Sequence, residues 1–101
     1  MKKIILSIVG LFLGLSSVAN ADGHANDVTI QLKWVTQTQF AGYYVAQDMG
    51  YYKDEGLNVT ITPGGPDIGP MSALASGNAD VAVDWMPSAL ASREKGLAAV
   101  N

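Results

Sequence analysis

The sequence predicts an α/β fold with a mostly parallel sheet and helices on both of its faces. Three strand-like segments alternate with three helix-like segments, which is the order that parallel strands and crossover helices produce. The segment 80–85 is short and nearly continuous in apolar residues, as is typical of a strand at the middle of a parallel sheet. Because such crossovers are right-handed, few topologies remain to be considered.

The first strand is predicted from strict alternation of apolar and polar residues over residues 28–34. Residues 57–62 alternate in the same way and predict a second strand, and residues 97–100 are predicted to begin a fourth. In the first strand the apolar face carries Val28, Ile30, Leu32 and Trp34, and the opposite face carries Thr29, Gln31 and Lys33.

Helices are predicted in the segments between these strands. Ala41, Val45 and Met49 share one face of a helix over residues 40–49, and Gly50 is suited to end it. Residues 51–55 can add one more turn to this first helical segment. The other two helical segments are residues 71–76 and, following Pro87, residues 88–95.

The composition excludes several classes of function. The 101 residues are 49% hydrophobic and 15% charged and contain no cysteine, which excludes a disordered segment, a disulfide framework, a cysteine-based metal site and a thiol nucleophile. The net charge of −3 argues against binding to nucleic acid by charge, because an acidic surface repels phosphates. No catalytic pair and no metal cluster can be assembled from the sequence, and we expect neither a metal nor a cofactor.

Residues 1–21 predict a secretory signal peptide. A basic start with two lysines precedes an apolar run of 12 residues, and Ala19 and Ala21 form a cleavage site of small residues. The alternative is a membrane anchor, but a membrane span needs about 20 apolar residues. We therefore expect a periplasmic mature protein without a membrane span, with a polar lead-in over residues 22–27 and an α/β segment over residues 28–101.

Candidate ligand-binding residues lie in the loops that follow the three strands, because ligands of open α/β sheets bind outside the carboxyl ends of the strands. These loops offer aromatic faces, amides, a hydroxyl and two carboxylates, but no Arg or Lys. This mixture suits a neutral or cationic planar heterocycle better than an anion. The candidates are Trp34, Gln39, Phe40, Tyr43, Gly65, Pro66, Asp67, Asp84, Trp85 and Ser88.

The candidates also have purely structural interpretations. Trp34 and Trp85 suit core positions at strand ends, and tyrosines such as Tyr43 suit packing of a helix. The Gly-Gly pair at residues 64–65 suits a turn, and Asp84 suits a helix cap. The sequence alone leaves both interpretations open.

Two stretches of the chain resemble a family of ABC-transporter substrate-binding proteins. They are LKWVTQTQFAGYYVAQDMGYYKDEGLNVTITPGGPD and SGNADVAVDWMPSALASREKG. The branch that they resemble is grouped with the thiamine-pyrimidine synthases of fungi. It includes binders of thiamine-pyrimidine precursors and riboflavin, with nitrate, sulfonate and taurine binders as more distant members.

This resemblance implies a periplasmic-binding-protein type II-like fold with two lobes around a cleft. Residues 28–101 would form the first part of lobe one, and this chain would be an N-terminal fragment of the whole. All candidate residues except Gln39 would line the lobe-one side of the cleft. The implied function is capture of a small-molecule ligand and its delivery to an ABC permease in the cytoplasmic membrane, with ligand binding favouring closure of the lobes.

The same resemblance offers an enzyme, a thiamine pyrimidine synthase, as the alternative. In the fungal synthases a lysine binds pyridoxal phosphate as an imine, and a histidine four residues later is consumed as substrate. Alignment through SGNAD and ALASREKG places Asp84 and Ser88 at these two positions. Because aspartate cannot form an imine and serine has no imidazole, we expect a binding protein rather than an enzyme.

Overall fold

The computed structural model of the protein describes residues 26–100, so the predicted signal peptide lies outside the described residues. The chain alternates parallel strands with helices, which confirms the predicted α/β class. The strands are β1 (Asp27–Gln31), β2 (Asn58–Thr62) and β3 (Val81–Ala82). A 3-10 turn (Thr38–Phe40) precedes the helices α1 (Ala41–Asp48), α2 (Tyr51–Asp54), α3 (Pro70–Ala75) and α4 (Met86–Glu94).

Strand β1 lies at the centre of the sheet, in the order β2-β1-β3, and both pairings are parallel. Ile30 is in register with Ile61 on one side and with Val81 on the other. The backbone ladder continues one step further on each side, because Leu32 N–H donates to Thr62 and Val83 N–H donates to Gln31, each at 2.9 Å. The carboxyl ends of the three strands therefore open at one edge of the sheet.

The core forms where the apolar face of β1 meets the start of α1. Ile30, Leu32 and Phe40 are buried together, and Leu32 is completely excluded from solvent. Burial of a side chain of this size contributes about 1.5–3 kcal/mol to stability. Partly buried side chains complete the cluster, and they are Val28, Trp34, Tyr43, Tyr44, Val59, Ile61 and Val83.

Gln31 departs from the prediction that its face of β1 is the polar face. Its side chain is buried, and its Nε2 lies at hydrogen-bond distance from the carbonyls of Leu32 (3.0 Å), Thr62 (3.3 Å) and Pro63 (3.1 Å). A buried amide requires such partners. Since β1 is the central strand, its carboxyl end is enclosed by neighbours, and Gln31 ties that end to the end of β2.

Three predicted strands differ from the structure. The first is predicted over residues 28–34, but β1 ends at Gln31 because the chain bends over residues 33–36. The segment 80–85 contributes only the two residues of β3, because the chain leaves the ladder after Val83 and enters α4 at Met86. Residues 97–100 form no strand, since none of the described strands pairs with them.

The predicted break after α1 is confirmed. Gly50 has φ 76°, a left-handed conformation that glycine adopts without steric cost, and it separates α1 from α2. None of the helices within residues 26–100 combines the length and apolar character needed to cross a membrane.

Candidate functional site

A cleft of about 240 Å³ opens at the carboxyl edge of the sheet, between the ends of β1 and β3. We call it the β1/β3 cleft. Its position agrees with the expectation that a ligand site lies outside the carboxyl ends of the strands. The residues that line it are Lys33, Gln39, Phe40, Tyr43, Val83 and Trp85.

The floor of the β1/β3 cleft is formed by aromatic side chains that belong to the core. Phe40 ends the 3-10 turn and is 4% exposed, and Tyr43 in the first turn of α1 packs against the same core. The hydroxyl of Tyr52 donates to the Tyr43 carbonyl at 3.2 Å and joins α2 to this turn. The floor is therefore fixed by the same packing that stabilises the fold.

Trp85 forms the opposite, exposed wall of the β1/β3 cleft. It is the residue that precedes α4, its backbone is extended, and 61% of its surface is accessible. This exposure argues against the interpretation of Trp85 as a core residue. An indole held at a cleft mouth offers a flat face on which a planar ring can stack.

Lys33 and Asp84 connect the two strand ends. Lys33 Nζ lies 2.9 Å from Asp84 Oδ1, and the same ammonium lies 5.0 Å from the centroid of the Trp85 ring. The backbone N–H of Trp85 also donates to Asp84 Oδ1, at 2.7 Å. These contacts place a carboxylate, an ammonium and an indole in one connected group.

The contacts of Asp84 also bear on its interpretation as a helix cap. Its hydrogen-bonded N–H belongs to Trp85, which precedes the helix, and α4 has no side-chain cap on that residue. Asp84 binds Lys33 instead. Its far side lines a larger groove of about 360 Å³ between α3 and α4, whose other lining residues are mostly apolar, among them Met71, Leu74, Val81, Met86, Ala89 and Leu90.

The predicted site residues divide into two groups by position. Gln39, Phe40, Tyr43 and Trp85 line the β1/β3 cleft, and Asp84 lies directly behind Lys33. Outside the lining of this cleft are Trp34, which packs on the core, Ser88, whose carbonyl accepts the Ser92 hydroxyl, and Gly65, Pro66 and Asp67 in the loop after β2.

The loop after β2, residues 63–69, is fastened to the end of β1 by its backbone, and we call it the β2-exit loop. Gly64 N–H donates to the Trp34 carbonyl at 2.9 Å. A Cβ at Gly64 would overlap the backbone of Leu32 and Lys33, lying 2.6 Å from the Lys33 carbonyl oxygen. A glycine is therefore required at this position, because two backbones approach each other too closely for a side chain.

Lys33 is the functional candidate that sequence reasoning missed. It directly precedes Trp34, and the alternation of apolar and polar residues in this strand assigns Lys33 to the polar face, opposite Trp34. Lys33 could have been identified from its position at the carboxyl end of the central strand, where the chain bends over residues 33–36. Among residues 26–100, no cluster of three or more potential metal ligands is present.

Comparisons with known proteins identify one family and one curated relative. A sequence profile of the NMT1/THI5-like family matches residues 37–101. The chain is 29% identical over 99 residues to the formylaminopyrimidine-binding protein of Halalkalibacterium halodurans. That match covers 98% of this chain and 30% of the relative, so the chain spans less than a third of the relative's length. No solved structure matches the chain significantly.

Proposed function

Since the chain belongs to the NMT1/THI5-like family, we propose that it is part of the extracytoplasmic solute-binding component of an ABC importer. The ligand would be a thiamine-pyrimidine precursor, riboflavin or a similar small heterocycle. The similarity to a formylaminopyrimidine-binding protein favours a pyrimidine within this group. The proposed compartment is the periplasm, which the predicted signal peptide supports.

The observation that carries the proposal is the exposed indole of Trp85 beside a rigid aromatic floor. Phe40 and Tyr43 are fixed by the core, whereas Trp85 is free to contact a ligand across the β1/β3 cleft. Gln39 adds an exposed amide that can both donate and accept a hydrogen bond. A flat apolar ring with polar edges matches this arrangement of stacking faces and directional groups.

The size and openness of the cleft are those of one side of a ligand site. Pockets for drug-sized molecules measure about 300–1,000 Å³. The β1/β3 cleft measures about 240 Å³ and is open on one side. Closure of a second lobe over a bound ring would exclude water from its free face.

The enzyme alternative would require an amine that attacks the aldehyde of pyridoxal phosphate. Lys33 is the amine of this cleft, but its Nζ is paired with Asp84 at 2.9 Å. That contact holds the amine against Asp84, and the resemblance places Asp84 and Ser88 where the synthases have their lysine and histidine. Addition of pyridoxal phosphate to the full-length gene product is therefore expected to give no imine absorbance, and an imine band would favour the enzyme.

A fluorescence titration tests the binding proposal. A 4-aminopyrimidine added to the full-length protein is expected to change tryptophan emission, because a ring stacked on Trp85 alters the surroundings of the indole. Trp85→Phe should remove most of this change. Trp34→Phe is the matched control, because Trp34 packs on the core and does not line the cleft, and it should retain the change.

Two results would contradict the proposal. One is saturable binding of an aminopyrimidine with the same emission change in Trp85→Phe as in the wild type. The other is the absence of binding by aminopyrimidines and riboflavin, with binding of nitrate or a sulfonate in their place.

A further inference from the structure

An ion pair with little solvent exposure joins the two strand ends that form the β1/β3 cleft. The exposed fractions are 18% for the Lys33 side chain and 4% for the Asp84 side chain. Oδ1 of Asp84 contacts the Lys33 ammonium and also accepts a hydrogen bond from the Trp85 backbone N–H. Removal of either partner of such a pair leaves an uncompensated charge where little water can reach it, so the two groups act together.

The pair presents its charges asymmetrically to the cleft. Lys33 lines the β1/β3 cleft, whereas Asp84 lines the apolar groove on the other side. Among the described residues that line the cleft, Lys33 is the one with a formal charge, and Asp84 compensates it from behind. The wall of the cleft therefore offers N–H donors without a net charge.

The ion pair also contacts the proposed stacking surface, the indole of Trp85. The Lys33 ammonium lies 5.0 Å from the ring centroid, within the distance of about 6 Å at which a cation and an aromatic face attract each other. Lys33 thus contacts Asp84 and faces the indole at the same time. A ligand that displaces the ammonium from Asp84 would also disturb the indole against which it stacks.

We propose that the Lys33–Asp84 pair sets the charge specificity of the ligand site, selecting an uncharged heterocycle over cationic and anionic analogues. This inference rests on the proposed function. A cation that enters the cleft meets the Lys33 ammonium before it approaches Asp84, and an anion has to compete with Asp84 for Lys33. An uncharged ring leaves the pair intact, and its ring nitrogen or carbonyl accepts one of the remaining N–H groups of Lys33.

The test uses three 4-aminopyrimidines that differ only at carbon 5. At neutral pH the hydroxymethyl compound is uncharged there, the aminomethyl compound is cationic and the carboxylate is anionic. Calorimetric titration of the full-length wild type should give the tightest binding for the hydroxymethyl compound. Lys33→Met leaves the Asp84 carboxylate uncompensated, so the affinity for the aminomethyl compound should rise about tenfold relative to the hydroxymethyl compound.

The opposite substitution should produce the opposite preference. Asp84→Asn leaves the Lys33 ammonium uncompensated. The affinity for the pyrimidine carboxylate should therefore rise about tenfold relative to the affinity for the hydroxymethyl compound. The double variant Lys33→Met/Asp84→Asn restores a neutral wall and should again favour the hydroxymethyl compound. Lys53→Met is the matched control, because Lys53 is exposed on α2 and does not line the cleft, and it should change none of the three affinities.

Thermal unfolding of each variant establishes that it is folded before titration. If Lys33→Met does not fold, the Asp84→Asn and double variants still carry the test. The inference is wrong, and the proposed function stands, if the hydroxymethyl compound binds the wild type and the folded charge variants change the affinity ratios by less than about twofold. If none of the three pyrimidines binds the wild type, the proposed function for a pyrimidine is wrong and this inference fails with it.

Discussion

The carboxyl edge of the sheet contains two regions with different construction, the β1/β3 cleft and the β2-exit loop. The β1/β3 cleft presents side chains to solvent, with Trp85 61% exposed and Lys33 at its wall. The β2-exit loop approaches the end of β1 with its backbone, through Gly64, and Gly65 beside it is buried. One region offers chemical groups to a ligand, and the other holds the end of the central strand in place.

This difference shows how one sheet edge can be rigid and available for binding at the same time. Gln31 and Gly64 fix the backbone of residues 32–34 from the side of β2. The side chain of Lys33 can then be directed towards β3, where it meets Asp84. Substitutions in the β2-exit loop should therefore act first on stability, and substitutions in the cleft should act on affinity.

The largest effect is expected from Gly64→Ala. The added methyl group would overlap the carbonyls of Leu32 and Lys33, so the β2-exit loop would have to move away from β1. We expect the free energy of unfolding to fall by about 3–4 kcal/mol, which is typical of a severe backbone conflict. Gly65→Ala is the control, because a Cβ there meets nothing within 4 Å, and it should cost less than about 1 kcal/mol.

A smaller loss of stability is expected from Gln31→Met. The substitution keeps the length of the side chain but removes the amide that donates to the carbonyls at the ends of β1 and β2. The Thr62 carbonyl would keep the Leu32 N–H, but the carbonyls of Leu32 and Pro63 would lose the amide donor, at a cost of about 1–3 kcal/mol in total. Gln47→Met removes an exposed amide that donates to Val59, and denaturant unfolding should place its cost below about 0.5 kcal/mol. Equal losses in the two variants would contradict the role given to Gln31.

Gln39→Ala should weaken ligand binding with little change in stability. Gln39 lines the β1/β3 cleft and is exposed, and its amide is bonded only weakly to Gln37, at 3.2 Å. Loss of one hydrogen bond to a ligand should reduce the affinity for an aminopyrimidine about threefold to tenfold, as measured by calorimetry. An unchanged affinity would remove Gln39 from the proposed site.

The smallest effect is expected from Asp67→Asn, which tests whether the β2-exit loop contacts the ligand. Sequence reasoning includes Gly65, Pro66 and Asp67 in the site, and these residues do not line the β1/β3 cleft. If the cleft alone holds the ligand, the affinity should stay within about twofold of the wild type. A loss as large as that of Gln39→Ala would extend the site to this loop.

The fold follows from local patterns that the sequence displays directly. The alternation in residues 28–34 identifies the position of β1 and the buried Ile30 and Leu32, although the strand itself ends at Gln31, and Gly50 marks the end of α1. The extent of β3 could not be predicted, because it depends on where the chain turns into α4. The burial of Gln31 could not be predicted either, since it depends on β1 being the central strand and not on any local pattern.

The candidate site was predictable in its location but not in its charge. The sequence predicts one site from the loops after all three strands. Gln39, Phe40, Tyr43 and Trp85 do line one cleft, whereas no residue of the β2-exit loop lines it. The pairing of Lys33 with Asp84 joins residues that are far apart in the chain, and it requires β1 and β3 to be adjacent. That adjacency is a property of strand order, which composition and spacing do not specify.

Binding of the ligand in the β1/β3 cleft against Trp85 is tested most directly by a crystal structure of the full-length protein with a bound 4-aminopyrimidine. We expect the ring to stack on the Trp85 indole at a contact distance of about 4 Å, with a polar edge towards Lys33 and the Lys33–Asp84 pair intact. A pyrimidine bound elsewhere, with Trp85 free of contact, would show that the β1/β3 cleft is not the ligand site.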